Sequence, residues 1–524
     1  MNWKEMGAFT GAIVVGVILC TTAWSASAQS PAASPSNGSQ AKQAPTDVPP
    51  QPAPETKITP QQAKELFKSV DEILQFSSED SKLPIKSKVK RRLTNREEVE
   101  QYILEKLKND EDAKRMERGE IVLKKFGLLD HDFQLGPFLV SLLKEQIAGY
   151  YDNKSKTVNL LDWIEPEQQK SVLAHELTHA LQDQHIDLEK FESKTPNSVP
   201  HNVTEDNEHI AVDESDTARD AALEGQAMAV FLDYELKPTG RTLLTAGEEV
   251  EDQIDQMGDA SGSPVLGRAP LLLQESLLFP YKDGLRFELA LLRDKGPIAA
   301  YAGVLDHPPS TSYEIMNPKS YEKGQKPPLL RMPDTHELLG AEYEPYDIGV
   351  MGQLDVSILT ELFGGREISK SLTPEWAGGI YYALQKKSAK TPAEKASTAS
   401  LSLLYLSNWR TDLAAQAFAT MYAKELNLKY TSVTRTTEGG SGIGEQVFET
   451  NEGPVLIAVN GTQVFISESF ELTQARKLEL LMTGAQQSDM QRTASLSTQP
   501  VEDLNTTMRR FFSSCGMMKL AMRH

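Results

Sequence analysis

In the stretch SVLAHELTHALQDQH, Ser171 to His185, two histidines stand four residues apart with a glutamate directly after the first. On a helix that spacing is a rotation of about 400°, so His175 and His179 project from one face and can grip a single ion. In an HExxH arrangement the glutamate, here Glu176, is not a ligand; it takes a proton from water on the ion and returns it to the leaving group. Zinc suits this chemistry because it lowers the pKa of its bound water to about 7. The expectation is one Zn2+ per chain, held by three protein ligands, in a hydrolytic site.

Two residues compete to be the third ligand. His185 occupies the last position of the pattern HExxHxxGxxH, in which a glycine breaks the helix and swings the final histidine back to the metal. That position holds Gln182 here. If the helix continues, His185 is turned by about 600° and displaced about 9 Å from His179, beyond reach of the same ion; a tight turn at Gln182 would bring it back. Glu224 is the other candidate, in TARDAALEGQAMAVFLDYEL. A glutamate amid Ala221, Ala222, Leu223, Ala227 and Ala229 is costly on a buried face unless a metal or partner balances its charge. The small residues also allow close approach to the HExxH helix. Asp220, one turn earlier, is placed to accept a hydrogen bond from a ligand histidine. The bland alternative is a surface glutamate before a helix-breaking glycine.

These side chains need a helix and a neighbouring strand to hold them. Pro166 starts the helix, with Glu165 and Glu167 at its positive end, and it runs through Gln182 or beyond. Before it, GYYD and the turn Asn153-Lys154 lead into KTVNLLD, whose Thr, Val and Leu content predicts a strand. Upstream, Thr59-Pro60-Gln61-Gln62 is a capping box opening an amphipathic helix, and Thr94 with Glu97 predicts a second, running through Lys125. Between them IKSKVKRRL, Ile85 to Leu93, alternates apolar and basic residues as an exposed strand does.

HELTHALQDQH followed by ARDAALEGQAMA resembles the gluzincin branch of the zincin metallopeptidases, and within it a group of exported bacterial proteins with HEL(T/V)HALQDQ and a later ALxEGxA. The likeness covers roughly residues 60 to 480. It implies an α+β, zincin-like catalytic domain whose active-site helix packs beside a small sheet, with His175, His179 and Glu224 on zinc and Glu176 as base. It also implies a peptide or protein substrate, aligned on the strand beside the active-site helix; AGYYDNKSKTVNLL matches that group's strand. A transition-state donor is expected among Tyr150, Tyr151, Tyr234 and Tyr313. The chain departs from the group in HPPSTSYEIMNPKSY, with Tyr313 for Glu and Asn317 for His, and in PEWAGGIYYAL, with Ile380 for Asp. Those departures at Asn317 and Ile380 motivate one alternative, a weak or inactive zincin-fold protein that binds a peptide or partner; a zinc hydrolase of a non-peptide substrate is a separate third reading.

The remaining chain bounds the setting. With 54 Lys+Arg against 74 Asp+Glu, the net charge of -20 repels phosphate backbones, so nucleic-acid binding is excluded from the expected functions. Lys4, an uncharged stretch from Gly7, and Ala26-Ser27-Ala28 predict a signal peptide over 1–28 and a periplasmic or secreted protein. An uncleaved membrane anchor is the alternative. Residues 29–57, rich in Pro, Ser, Ala and Gln, read as a disordered spacer. The catalytic domain is expected over 58–340, a helical and β-hairpin region over 341–483 and a flexible tail over 484–524. Pro345 to Leu428 reads as helices anchored by Trp376 and Trp409, and PVLIAVNGTQVFISES as a hairpin turning at Asn460-Gly461. Only two cysteines occur, Cys20 and Cys515, which leaves no disulfide framework.

Overall fold

The fold was read from a computed structural model, which describes residues 57–496 apart from 108–109, 193–197, 257–263 and 437–443, together with the two-residue strand Val14–Val15. The expected leader and spacer, save Val14–Val15 and Lys57, and most of the expected tail with Cys515 lie outside the described residues.

Helix α1 (Pro60–Ser81) begins as its sequence requires: Thr59 and Gln62 cap one another and Pro60 fills the first turn. Strand β1 (Lys90–Thr94) follows, then α2 (Arg96–Leu107) and α3 (Asp110–Phe126). The second cap falls one residue later than expected. Thr94 ends the strand, its hydroxyl on Asn159, while Asn95 and Glu98 cap each other at 2.9 and 3.3 Å. Helices α2 and α3 cover the predicted stretch on either side of residues 108–109, which lie outside the described residues. Helix α4 (Leu135–Gln146) leads into β2 (Ile147–Asp152), β3 (Thr157–Leu161) and α5 (Pro166–Ile186). These strands form a four-stranded sheet in the order Val14–Val15, β2, β3, β1, with β2 antiparallel and β1 parallel to β3.

Helix α5 is buried nearly all round, with Leu173, Ala174, Leu177, Ala180 and Leu181 inaccessible, as befits a helix enclosed by others. The Ser77 hydroxyl of α1 bonds the Ala174 carbonyl from one side. From another comes α6 (Ser215–Leu236), which passes straight through Gly225 without breaking. Gly225 is needed for packing: a Cβ there would lie 2.1 Å from the Gly284 carbonyl oxygen of α7 (Leu271–Lys295). Gly149 does the same for β2, where an added Cβ would meet Val172 at 3.0 Å.

The C-terminal part corrects the helical reading of 345–428. Strands β4 (Tyr343–Val350), β5 (Trp376–Lys386) and β6 (Leu401–Trp409) alternate with α8 (Gln353–Gly364) and α9 (Asp412–Lys429). With β7 (Val433–Arg435), β8 (Glu445–Thr450), β9 (Gly453–Asn460) and β10 (Gln463–Glu468) they make a seven-stranded antiparallel sheet, ordered β4-β5-β6-β10-β9-β8-β7. Both faces are covered, so β5 and β6 carry continuous apolar runs whose periodicity does not separate strand from helix. The β9–β10 hairpin is present, its last pair Asn460 with Gln463 and Gly461 at φ +60°. Trp376 and Trp409 are core residues, as expected. Helix α10 (Leu472–Leu496) runs into the segment expected to be a tail.

Residue 340 does not divide two cores. One apolar cluster joins Leu177 and Leu223 to Trp376, Tyr405 and Phe418. Buried Lys125 of α3 also reaches across to Glu452 and Ser469, 2.8 Å from each. The result is a mixed α+β molecule. No helix among the described residues is long and apolar enough to cross a membrane.

Candidate metal centre

His175 and His179 lie at the middle of α5 and Glu224 at the middle of α6, and all three are buried. Their donor atoms converge. His175 Nε2 is 3.0 Å from His179 Nε2 and 3.0 Å from Glu224 Oε2, and His179 Nε2 is 3.5 Å from that oxygen. Two donors at tetrahedral positions about 2.0–2.1 Å from zinc stand about 3.3 Å apart, so the spacing fits one ion. Glu224 Oε2, though close to both rings, is outside hydrogen-bond geometry with either. Among the described residues this is the one group of three or more His, Cys, Asp or Glu side chains placed to share a metal.

The electrostatics match a site built for a cation. Burial lowers the His175 imidazole below its usual value. Burial also works against a charged His179, but the Glu224 carboxylate overrides it and lifts that ring to about 9. For Glu224 burial acts upward, yet the two histidines hold the carboxyl down at about 2. A buried anion has therefore found positive charge in the only form the side chains themselves supply. A metal ion would take the place of that proton and release it on binding.

Glu176 is one residue along from His175 and as deeply buried. Neither of its oxygens has a hydrogen-bond partner. Burial pushes its carboxyl up to about 8, against the pull of His179 and of the nearby Tyr151 amide. Burial without a hydrogen-bond donor thus favours the protonated carboxyl at this position. Strand β2 is brought against it by Gly149, whose α-carbon side faces Glu176 Cγ 3.8 Å from an added Cβ.

His185 is not part of this centre. Helix α5 continues past Gln182 to Ile186, and the His185 ring pairs with Asp306 at 3.0 Å. Gln182 takes a different role: its side-chain oxygen meets His179 Nδ1 at 2.8 Å. Asp220 was expected to orient a ligand histidine, but His179 Nδ1 goes to Gln182 and His175 Nδ1 has no hydrogen-bond partner.

The four tyrosines are spread around the site. Tyr150 stacks on Tyr102 at 4.7 Å, on the face of β2 away from α5. Tyr151 is on the near face, its hydroxyl held by Asp183 at 2.7 Å. Tyr234 packs on Phe76, about 15 Å further along the α6 axis than Glu224. Tyr313 is in a short helix docked through Ser312 on Glu214, about 15 Å from Glu224 in the other direction. The ring that does lie against His175 is Tyr281 of α7, with centroids 6.4 Å apart. Nothing in its local sequence marks it; the Gly225–Gly284 crossing brings it in.

Asn317 donates to Gln353 at 2.6 Å and to the Tyr313 carbonyl, which is a joint between short helices. Ile380 belongs to a second apolar cluster with Tyr382, Leu404 and Leu406, on the opposite sheet face from Tyr381 and Tyr405 of the main core. Both departures thus have packing roles. The chain matches no protein-family model, no curated protein and no solved structure.

Proposed function

We propose that the protein is a zinc-dependent metallopeptidase of the gluzincin type, with His175, His179 and Glu224 as ligands and Glu176 as general base. The observation that carries this reading is the convergence of three buried donor atoms beside a buried carboxyl that has no hydrogen-bond partner. Two imidazoles and one carboxylate are a nitrogen and oxygen set that suits zinc and leaves a position for water. Bound there, zinc would acidify that water and polarise a substrate carbonyl.

The residues of the chain do the rest. Glu176 accepts a proton from the attacking water and delivers it to the amide nitrogen as the C–N bond breaks and a C–O bond forms. Burial, which favours the protonated form of this carboxyl, would help it hold that proton between the two transfers. The edge of β2 remote from β3, where Val14–Val15 lies antiparallel, is the edge on which an extended substrate would align. With a leader over 1–28 removed after export, that edge would be open. Peptides or unfolded proteins outside the cytoplasm are therefore the proposed substrates.

The test is digestion of a mixed peptide pool by zinc-loaded protein beside Glu176→Gln. The amide is nearly isosteric and is not a ligand, so the variant should keep zinc and fold while turnover falls by about 10²–10⁴. Equal turnover by the two proteins would reject Glu176 as the base.

A further inference from the structure

Around His179 the hydrogen bonds run in one direction only. Gln226 directs its side-chain nitrogen at two backbone carbonyls, Ala300 at 2.9 Å and Tyr301 at 3.1 Å. Carbonyls accept and never donate, so this amide cannot be turned over, and its oxygen must face the other way. That oxygen receives the Gln182 nitrogen at 2.9 Å, which also donates to the Leu223 carbonyl at 3.0 Å. Gln182 is locked by the same logic. Its oxygen is left facing His179 Nδ1 at 2.8 Å, where it can only accept. Gln182 and Gln226 are both fully buried, so no water competes for these positions.

We infer that Gln182 and Gln226 form a directional amide relay that fixes His179 as the Nδ1–H tautomer and so presents its Nε2 lone pair to the metal. This deepens the proposed function and rests on its metal site. The relay begins at the Ala299–Gly303 turn, crosses α6 and ends on α5, which ties the imidazole to three separate elements. The neighbouring ligand is treated differently: His175 Nδ1 meets no hydrogen-bond partner, so its tautomer is left to the metal to choose. Gln182 and Gln226 are positioning residues; they touch neither ion nor substrate. The residue that replaces a helix-breaking glycine at 182 thus gives that position a new use, which requires the helix to stay straight.

The experiment uses full-length protein loaded with zinc alone and compares wild type with Gln182→Met, Gln226→Met, the double variant and Gln182→Glu. Zinc affinity is read by chelator competition, the His179 tautomer by nitrogen-15 NMR of histidine-labelled protein, and fold by circular dichroism. Gln182→Met should weaken zinc binding by about 10–100-fold, the usual effect of losing a partner behind a ligand histidine. It should also broaden or split the His179 nitrogen signals as both tautomers become populated. Gln226→Met should have a smaller effect of the same kind, and the double variant should be no worse than Gln182→Met, because the two act in series. Gln182→Glu keeps an acceptor at Nδ1 but turns its second oxygen towards the Leu223 carbonyl and the Gln226 oxygen, which only accept, so it should keep the single Nδ1–H tautomer while unfolding at a lower temperature than wild type. Wild-type affinity and an unchanged Nδ1–H signal in Gln182→Met would overturn the relay while leaving the metal site intact. A wild type that takes up no zinc would instead overturn the reading on which the relay rests.

Discussion

Glu224 carries the metal assignment at the scale of single residues. A carboxylate enclosed by alanines in mid-helix is tolerable only with a cation beside it, and the two nearest groups are the imidazoles of His175 and His179. Glu224→Ala should therefore reduce zinc affinity by more than about 100-fold, beyond the loss of an outer partner. His185→Ala, which removes only the contact with Asp306, should retain one zinc per chain by elemental analysis. The reverse result would restore His185 as a ligand. The sequence exposes His175, Glu176 and His179 because their spacing is itself the geometry, and Glu224 because its apolar neighbours betray burial. It does not expose Gln182, Gln226 or Tyr281. Their roles depend on which backbone carbonyl or ring arrives from a distant segment, and no local pattern encodes that.

Among the elements, the crossing of α6 and α7 sets the position of the third ligand. Gly225 is adjacent to Glu224, and any side chain there meets the Gly284 backbone at 2.1 Å, an atom that cannot rotate away. Gly225→Ala should destabilise the protein by roughly 1–3 kcal/mol or more in thermal or urea unfolding, and weaken zinc binding in parallel as α6 shifts. Unchanged stability and zinc binding would show that the helices are not in such close contact. Elements with a cap or a clear boundary are legible in the sequence, as at Thr59-Pro60 and Pro166. Strands β5 and β6 are not, since WAGGIYYALQK and LSLLYLSNW are buried on both faces and lose the alternation that marks a half-exposed strand. The Thr94 cap fails for another reason: tertiary pairing with Asn159 claims that hydroxyl and passes the cap to Asn95.

For the whole molecule, the site half and the sheet half are joined through buried polar groups as well as apolar packing; at one such joint the Ser312 hydroxyl accepts from the Leu354 amide of α8 at 3.3 Å, and the carboxyl that Ser312 in turn contacts is sensitive to pH. Glu214, just before α6, accepts hydrogen bonds from the Ser312 amide and hydroxyl, yet burial raises its carboxyl from 4.5 to about 7. The folded protein then binds a proton that the unfolded chain releases, so this contribution is complete below about pH 4.5 and lost as pH rises to about 7. Glu214→Gln should be more stable than wild type at pH 8, by at most about 3 kcal/mol, and the gap should shrink towards pH 5. Urea midpoints across that range would measure it, and a gap independent of pH would refute the linkage. If hydrolysis depends on an ion held by His175, His179 and Glu224, titrating zinc into metal-free wild-type protein should govern peptide-pool cleavage. Cleavage should rise in proportion to added zinc and reach its plateau at about one equivalent per chain. No cleavage at full zinc occupancy, or cleavage that persists in metal-free protein, would contradict that dependence.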